Sequence, residues 1–177
     1  APHADKYFDS DLEPDTIDYP GRPQSQVHRR WAPRTLQDMA ADIDDLYWAR
    51  TYGQSIKITR VGQGDQRRWL ISIPADMETN IRETLGLPSS MRLGIIQALH
   101  QAMSEDGLEP SQYATEPVLI AGHSQGGLIA VNLGSACPED IGVNVNGILG
   151  LGSPGRRARL RSDVVMVDLA HDQDVIP

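Results

Sequence analysis

The segment 122–126 has the sequence Gly-His-Ser-Gln-Gly, which matches the pattern G-x-S-x-G. The four residues before it, 118–121, are apolar and typical of a short buried strand. The residues after it, 127–133, favour a helix. A strand, a tight turn and a helix in this order form the local structure that presents a serine nucleophile. Ser124 is therefore the candidate nucleophile.

The neighbours of Ser124 have residue types that such a turn requires. Gly122 and Gly126 have no Cβ, so a strand and a helix can pack closely around a strained serine backbone. The serine hydroxyl then lies at a helix N-terminus, where unpaired N–H groups favour developing negative charge. His123 adjoins Ser124 but projects from a different point of the turn. We expect His123 to line the site, as Gly122 and Gly126 do.

The composition limits the classes of protein to which this chain can belong. Its 177 residues suffice for one domain with a sizeable core, and 40% hydrophobic with 23% charged residues is typical of a globular chain. A net charge of −8 and only 5% aromatic residues argue against nucleic acid or an anionic membrane surface as the main partner. No apolar run in the sequence approaches the ~20 residues of a spanning helix. No signal-peptide pattern is present, and the location and oligomeric state stay open.

Strand-like and helix-like segments alternate along most of the chain. An apolar stripe predicts a helix over residues 35–50, and the alternating segments 56–61 and 69–73 predict a hairpin at one side of a sheet. A further helix is predicted from Ser89 or Ser90 to Met103. The apolar runs 147–151 and 164–168 predict parallel strands that are covered on both faces. The pattern predicts an α/β fold with a mostly parallel central sheet flanked by helices.

Other segments carry weaker signals. Residues 1–34 are rich in Asp, Pro and Arg and predict an irregular N-terminal arm before a domain over residues 35–177. Residues 75–86 are weakly helical, and 105–117 predict a polar connection. His100 lies on or beside a helical apolar stripe, so a hydrogen-bonded structural histidine is expected there. Cys137 is the single cysteine, which excludes an intrachain disulfide, and we expect it to have a packing role.

Four segments together resemble the α/β-hydrolase superfamily: 122–126, the strand 69–74, Gly-Ser-Pro-Gly at 152–155 and the ending Asp-Gln-Asp-Val-Ile-Pro at 172–177. More narrowly, they are similar to lipase-like serine hydrolases of actinobacterial type. The resemblance covers residues 35–177. It implies an α/β-hydrolase fold and a serine ester hydrolase, lipase- or esterase-like, that forms an acyl-enzyme on Ser124. The substrate would be a small-molecule or lipid ester.

A serine nucleophile needs an imidazole to take its proton and a carboxylate to orient that imidazole. The resemblance implies that Asp174 is this carboxylate, with Asp172 and Asp168 as alternatives. The family order is serine, acid, histidine, but no histidine follows Asp174 in the sequence. His171 precedes Asp174 by three residues and would need a different geometry. We therefore expect the histidine to lie beyond Pro177, with the C-terminal part of the domain missing.

The resemblance also implies that two backbone amides hold the oxyanion, namely the N–H of Gln125 and one near Ala75. Related enzymes usually continue from the Ile-Pro at the end of this strand into Gly-Thr and a polar loop. Here Pro74 is followed directly by Ala75. We expect either a short loop or residues missing between Pro74 and Ala75.

Other functions stay open at this point. A thioesterase, acyltransferase or peptidase could use the same fold and serine, because neither fixes the acyl donor. A non-catalytic binding protein could keep the turn after losing its histidine. No His, Cys and Asp cluster has metal-ligand spacing, and the glycines follow neither a phosphate-loop nor a dinucleotide pattern. No metal or other cofactor is therefore expected.

Overall fold

The computed structural model describes residues 33–48, 55–75, 90–153 and 160–170, and the backbone of three short strands before them. In chain order the elements are β1 (His3–Tyr7), β2 (Thr16–Ile17), β3 (His28–Arg29), α1 (Leu36–Trp48), β4 (Ser55–Val61), β5 (Arg68–Ile73), α2 (Ser90–Glu105), α3 (Pro110–Tyr113), β6 (Pro117–His123), α4 (Gln125–Ser135), α5 (Pro138–Ile141), β7 (Asn144–Leu151) and β8 (Val165–Leu169). A 3₁₀ turn, Gly64–Gln66, connects β4 to β5.

Six strands form one sheet in the order β1-β4-β5-β6-β7-β8. β4 and β5 pair antiparallel, which confirms the predicted hairpin, and the other neighbouring strands of this sheet pair in parallel. β2 and β3 form a separate antiparallel pair. The predicted α/β class, with a mostly parallel sheet and flanking helices, is thereby confirmed.

Helices cover the sheet on both faces. Ile71 and Ile120 belong to a buried cluster that includes apolar side chains of α2 and α4. Leu70 and Ala121 pack instead with Ile43 of α1. Successive residues of a strand point to opposite faces, so one continuous apolar run supplies side chains to both layers. This explains why the central strands show no alternation with polar residues.

The predicted elements are found with small shifts at their ends, but five expectations need correction or stay open. The polar connection 105–117 contains α3, which begins with Pro110 and a capping box between Glu109 and Gln112. The strand predicted at 164–168 is β8, and its side chains at Val165 and Val167 are 68% and 47% exposed. The expected cover on both faces is therefore wrong for β8, the last strand of the sheet.

The segment predicted as an irregular arm, 1–34, contains the backbone of β1, β2 and β3. The arm itself stays a prediction, because most of it lies outside the described residues, as does the weakly helical segment beyond residue 75. The packing role predicted for Cys137 is wrong. Its thiol is exposed and donates to Glu139 Oε2 at 2.7 Å, a hydrogen bond that raises the thiol pKa.

A buried ion pair fixes helix α1 against the sheet. Lys57 Nζ on β4 lies 2.6 Å from Asp42 Oδ1 on α1, and both side chains are almost fully buried. Burial raises the pKa of Asp42, while the charge of Lys57 and its hydrogen bond act in the opposite direction. A buried carboxylate of this kind depends on its cation. The pair therefore restricts how α1 can lie on β4.

Replacing Lys57 by Met is expected to lower the free energy of unfolding by about 3–5 kcal/mol, because the Asp42 carboxylate would stay buried without its cation. The double variant Asp42→Leu/Lys57→Met removes both charges and should be more stable than the single variant. Denaturant unfolding at neutral pH measures both. A single variant as stable as the unaltered protein would contradict this account of the pair.

Candidate active site

Ser124 occupies the connection between β6 and α4 in a strained backbone conformation. Its φ is 52° and its ψ is −115°, and it is the one non-glycine residue with positive φ in the described part of the chain. For a residue other than glycine, such a conformation costs about 1–3 kcal/mol. The Ser124 side chain makes no capping hydrogen bond to α4. Its hydroxyl is thus not used to begin the helix.

Two glycines allow the strand and the helix to approach. A Cβ placed on Gly122 would lie 2.5 Å from the carbonyl carbon and oxygen of Gly126. A Cβ placed on Gly126 would lie 2.5 Å from the Ile73 carbonyl oxygen and 3.0 Å from that of Pro74. Real Cβ atoms do not come so close to backbone atoms. The close packing predicted for these two glycines is therefore found, and it brings the end of β5 against the turn.

The segment that follows β7 supports the turn from the other side. The Ser124 N–H donates to the Leu151 carbonyl at 2.9 Å, and the Gly127 N–H donates back to the Ser124 carbonyl at 3.0 Å. Ser153 Oγ donates to the Gly122 carbonyl at 3.3 Å. A Cβ on Gly127 would overlap the Ser153 side chain. Ser124 is thus positioned by backbone hydrogen bonds to the end of β7 and to the first turn of α4.

Tyr47, in the last turn of α1, connects two predicted site residues. The Ala75 N–H donates to Tyr47 Oη at 2.6 Å, and the same oxygen lies 2.6 Å from His123 Nδ1. The two rings meet edge to face, with centroids 5.8 Å apart. Burial raises the pKa of Tyr47, although the Ala75 hydrogen bond opposes this. The hydroxyl is therefore protonated at neutral pH and joins α1 to the ends of β5 and β6.

The predicted site residues within the described ranges lie together at one edge of the sheet. Gly122, His123, Ser124, Gln125 and Gly126 form the turn, and Ala75 reaches it through Tyr47. Gln125 is the first residue of α4. Among the described residues, no hydrogen bond joins the Ser124 hydroxyl to an imidazole. Nδ1 of His123 faces Tyr47 instead.

Of the three candidate acids, Asp168 alone lies within the described residues. Asp174 and Asp172 lie outside them, as does His171, the alternative base, so their roles stay predictions. Asp168 lies near the end of β8, half-buried, and its carboxylate packs against the backbone of Gly150 so closely that a Cβ there would overlap it. This position is on the strand two places from β6.

His100 has the structural role that the sequence predicts. Its Nε2–H donates to the Gly142 carbonyl at 2.8 Å, and its ring stacks on Tyr113 with centroids 4.6 Å apart. Those contacts join α2 to α3 and to the residue after α5. His100 is therefore occupied in packing, away from Ser124.

Sequence reasoning missed two residues that shape the site, Tyr47 and Ser153. Tyr47 belongs to the apolar stripe of residues 35–50, so its position predicts packing alone. A signal is present, because a tyrosine that packs on a core usually finds a hydrogen-bond partner for its hydroxyl, and Tyr47 is near the end of the helix. Ser153 lies in the Gly-Ser-Pro-Gly segment, but nothing in its type indicates that it would pack on α4.

A cavity of about 580 Å³ lies elsewhere, on the α1 face near the starts of β5, β6 and β7. Met39, Leu70, Leu119 and Gly147 are among its lining residues, and Ser124 is not.

The described ranges contain no group of three His, Cys, Asp or Glu side chains that could hold a metal ion. No helix among the described elements has both the length and the apolar character needed to cross a bilayer.

The strain at Ser124 predicts an unusual order of stability. Ser124→Gly should be more stable than Ser124→Ala by about 1–2 kcal/mol, because glycine adopts this conformation without a Cβ penalty. At Asn132, inside α4, the order should be reversed, with Ala about 0.5–1 kcal/mol more stable than Gly. Chemical denaturation of the four variants measures this. The same order at both positions would contradict the strained conformation.

No family model, curated protein or solved structure matches this chain in the comparisons made. A strained serine, two close glycines and a hydrogen-bonded tyrosine lie together at the edge where the parallel strands end. That edge is where ligands bind in open α/β sheets.

Proposed function

We propose that this chain is a serine ester hydrolase with the α/β-hydrolase fold, in which Ser124 is the nucleophile. The observation that carries the proposal is the backbone of Ser124, with φ of 52° and ψ of −115° between a parallel strand and a helix. A strained serine in a strand–turn–helix connection matching G-x-S-x-G is the arrangement of a nucleophile elbow.

The surroundings of Ser124 support a role in acyl transfer. The hydroxyl is at the N-terminus of α4, where the helix dipole favours negative charge. Of the two amides proposed to hold the oxyanion, that of Gln125 begins α4, while that of Ala75 donates to Tyr47 Oη at the strand end that Gly126 brings against the helix. Removal of one oxyanion donor typically costs about 2.7–4 kcal/mol of transition-state stabilisation. The transition-state stabilisation from one such donor is therefore at least as large as the strain energy of about 1–3 kcal/mol at Ser124.

The proposed reaction has two halves. Ser124 Oγ attacks the ester carbonyl carbon while its proton passes to an imidazole, which then protonates the leaving alcohol as the C–O bond breaks. Water attacks the acyl-enzyme, gives a proton to the same imidazole and releases the acid and the free serine. Asp174 is proposed to orient the imidazole, whose place in the chain order is after the acid.

Strain also argues against a non-catalytic binding protein. A conformation that costs about 1–3 kcal/mol would be relieved by glycine, so a scaffold without use for the hydroxyl would be more stable with glycine at position 124. Thioesterase, acyltransferase and peptidase activities need the same serine, and nothing in the described residues favours one of them over ester hydrolysis.

Ser124→Ala is expected to abolish hydrolysis of p-nitrophenyl butyrate and labelling by a fluorophosphonate, because both need an activated hydroxyl. Ser135→Ala is the matched control, since Ser135 lies on the same helix and donates to the Val131 carbonyl at 2.6 Å. That control should keep both signals. Absence of labelling and turnover in the unaltered protein, or equal turnover by Ser124→Ala, would refute the proposal.

Asp174→Asn is expected to lower kcat about 10⁴-fold, the size of this effect in another serine triad, because the amide favours the wrong imidazole tautomer. Asp172→Asn and Asp168→Asn should lower it far less. Steady-state kinetics on the same ester compare the three variants. A larger loss in either of the other two would transfer the role of the acid to that residue.

A further inference from the structure

Tyr47 has a hydroxyl whose hydrogen bonds can be accounted for atom by atom. The oxygen accepts from the Ala75 N–H at 2.6 Å, so one lone pair is used. His123 Nδ1 lies 2.6 Å from the same oxygen. When Nδ1 carries no proton, the single proton of Tyr47 is donated to it. The hydroxyl therefore accepts one hydrogen bond from an amide and has one proton to donate, whose O–H can turn about the Cζ–Oη bond.

The hydroxyl lies beside the two segments that form the candidate oxyanion site. His123 directly precedes Ser124, and Ala75 directly follows Pro74, whose carbonyl oxygen would be 3.0 Å from a Cβ on Gly126. The amide expected to bind the oxyanion, that of Ala75, already donates to Tyr47. Tyr47 Oη therefore lies between this amide and the turn that holds Ser124.

We propose that the Tyr47 hydroxyl is a catalytic donor to the oxyanion of the tetrahedral intermediate, with the Ala75 N–H acting through it. This inference rests on the proposed function of Ser124. In the His123 tautomer whose Nδ1 carries no proton, the substrate carbonyl oxygen competes with Nδ1 for the hydroxyl proton as it becomes negative, and a charged acceptor makes the stronger hydrogen bond. No covalent bond of Tyr47 forms or breaks.

This arrangement favours the transition state over the bound substrate. A neutral ester carbonyl competes only weakly for the hydroxyl proton, so in the ground state the Tyr47 hydroxyl stays hydrogen-bonded to His123 Nδ1. The hydrogen bond to substrate is gained as charge develops, and an interaction made only then raises kcat. The Ala75 N–H, by donating to the same oxygen, makes the hydroxyl a better donor, because linked hydrogen bonds polarise one another.

Tyr47→Phe tests the proposal, since it removes the oxygen and keeps the ring. With p-nitrophenyl butyrate we expect kcat to fall about 10²–10³-fold, as for loss of an oxyanion donor, with KM little changed. The matched control is Tyr113→Phe, which removes the hydroxyl of the buried tyrosine in α3 that stacks on His100. It should keep the kcat of the unaltered protein. Thermal unfolding verifies that both variants are folded.

A thionoester of the same acid separates a catalytic role from a structural one. Sulfur accepts hydrogen bonds poorly, so loss of a donor should lower kcat for the oxygen ester more than kcat for the thionoester. The ratio of kcat for the oxygen ester to kcat for the thionoester should therefore decrease in Tyr47→Phe. A merely structural role would lower both rates equally and leave the ratio unchanged. An unchanged or increased kcat in Tyr47→Phe would overturn the proposal, the increase because the hydroxyl would then be blocking the Ala75 amide.

A measurement on the unaltered protein does not depend on how the variant folds. Phenylboronic acid should add to Ser124 and place an anionic oxygen where the oxyanion forms, and the Tyr47 hydroxyl proton should then move downfield in the NMR spectrum. An adduct without that shift would overturn the role of Tyr47 alone. If neither the adduct nor ester hydrolysis dependent on Ser124 is observed, the proposed function fails as well.

Discussion

Helix α4 begins directly after strand β6, and the two backbones approach until no side chain fits at Gly122 or Gly126. The chain can make this connection only if the residue between strand and helix takes a backbone conformation that glycine prefers. That residue is Ser124, with a φ of 52°. The same approach brings the Ile73 and Pro74 carbonyls against the start of α4, and so it determines the position of Ala75, the next residue. The strain at one residue and the position of its neighbours therefore have a single cause.

Helix α1 adds a second constraint, made at two points along its length. The ion pair between Asp42 and Lys57 fixes the middle of the helix on β4, and the Tyr47 hydroxyl fixes its last turn to the ends of β5 and β6. Asp42 and Tyr47 are five positions apart, so a shift at the buried pair would be transmitted to the hydroxyl through little more than one helical turn. The stability of the α1 interface and the geometry beside Ser124 are thus coupled through a rigid element.

The parts of the fold that could be predicted are those whose signal is local. The strands at 69–73 and 118–121 are buried on both faces, and burial leaves an apolar run in the sequence. Ser124 could be found because its strand, turn and helix are contiguous. The Tyr47 contacts could not, because they join residues 28 and 76 positions apart and depend on how α1 lies on the sheet. The exposure of β8 was missed for a related reason, since an apolar run does not reveal whether its strand ends a sheet.

The described ion pairs around β4, β5 and β7 lie mostly away from the edge that holds Ser124. Arg60 and Arg67 contact Asp106, and Arg67 also pairs with Glu116, where β4 ends and β5 and β6 begin. Arg161 donates to the Val145 carbonyl near the start of β7. Around Ser124, by contrast, the contacts described are backbone amides, two hydroxyls and an imidazole. Dipoles held by a rigid frame respond to charge that develops during a reaction, while a permanent ion nearby would also act on the ground state. Among the described residues, the ion pairs therefore concentrate where β5 and β6 begin, and the hydrogen bonds beside Ser124 come from uncharged dipoles.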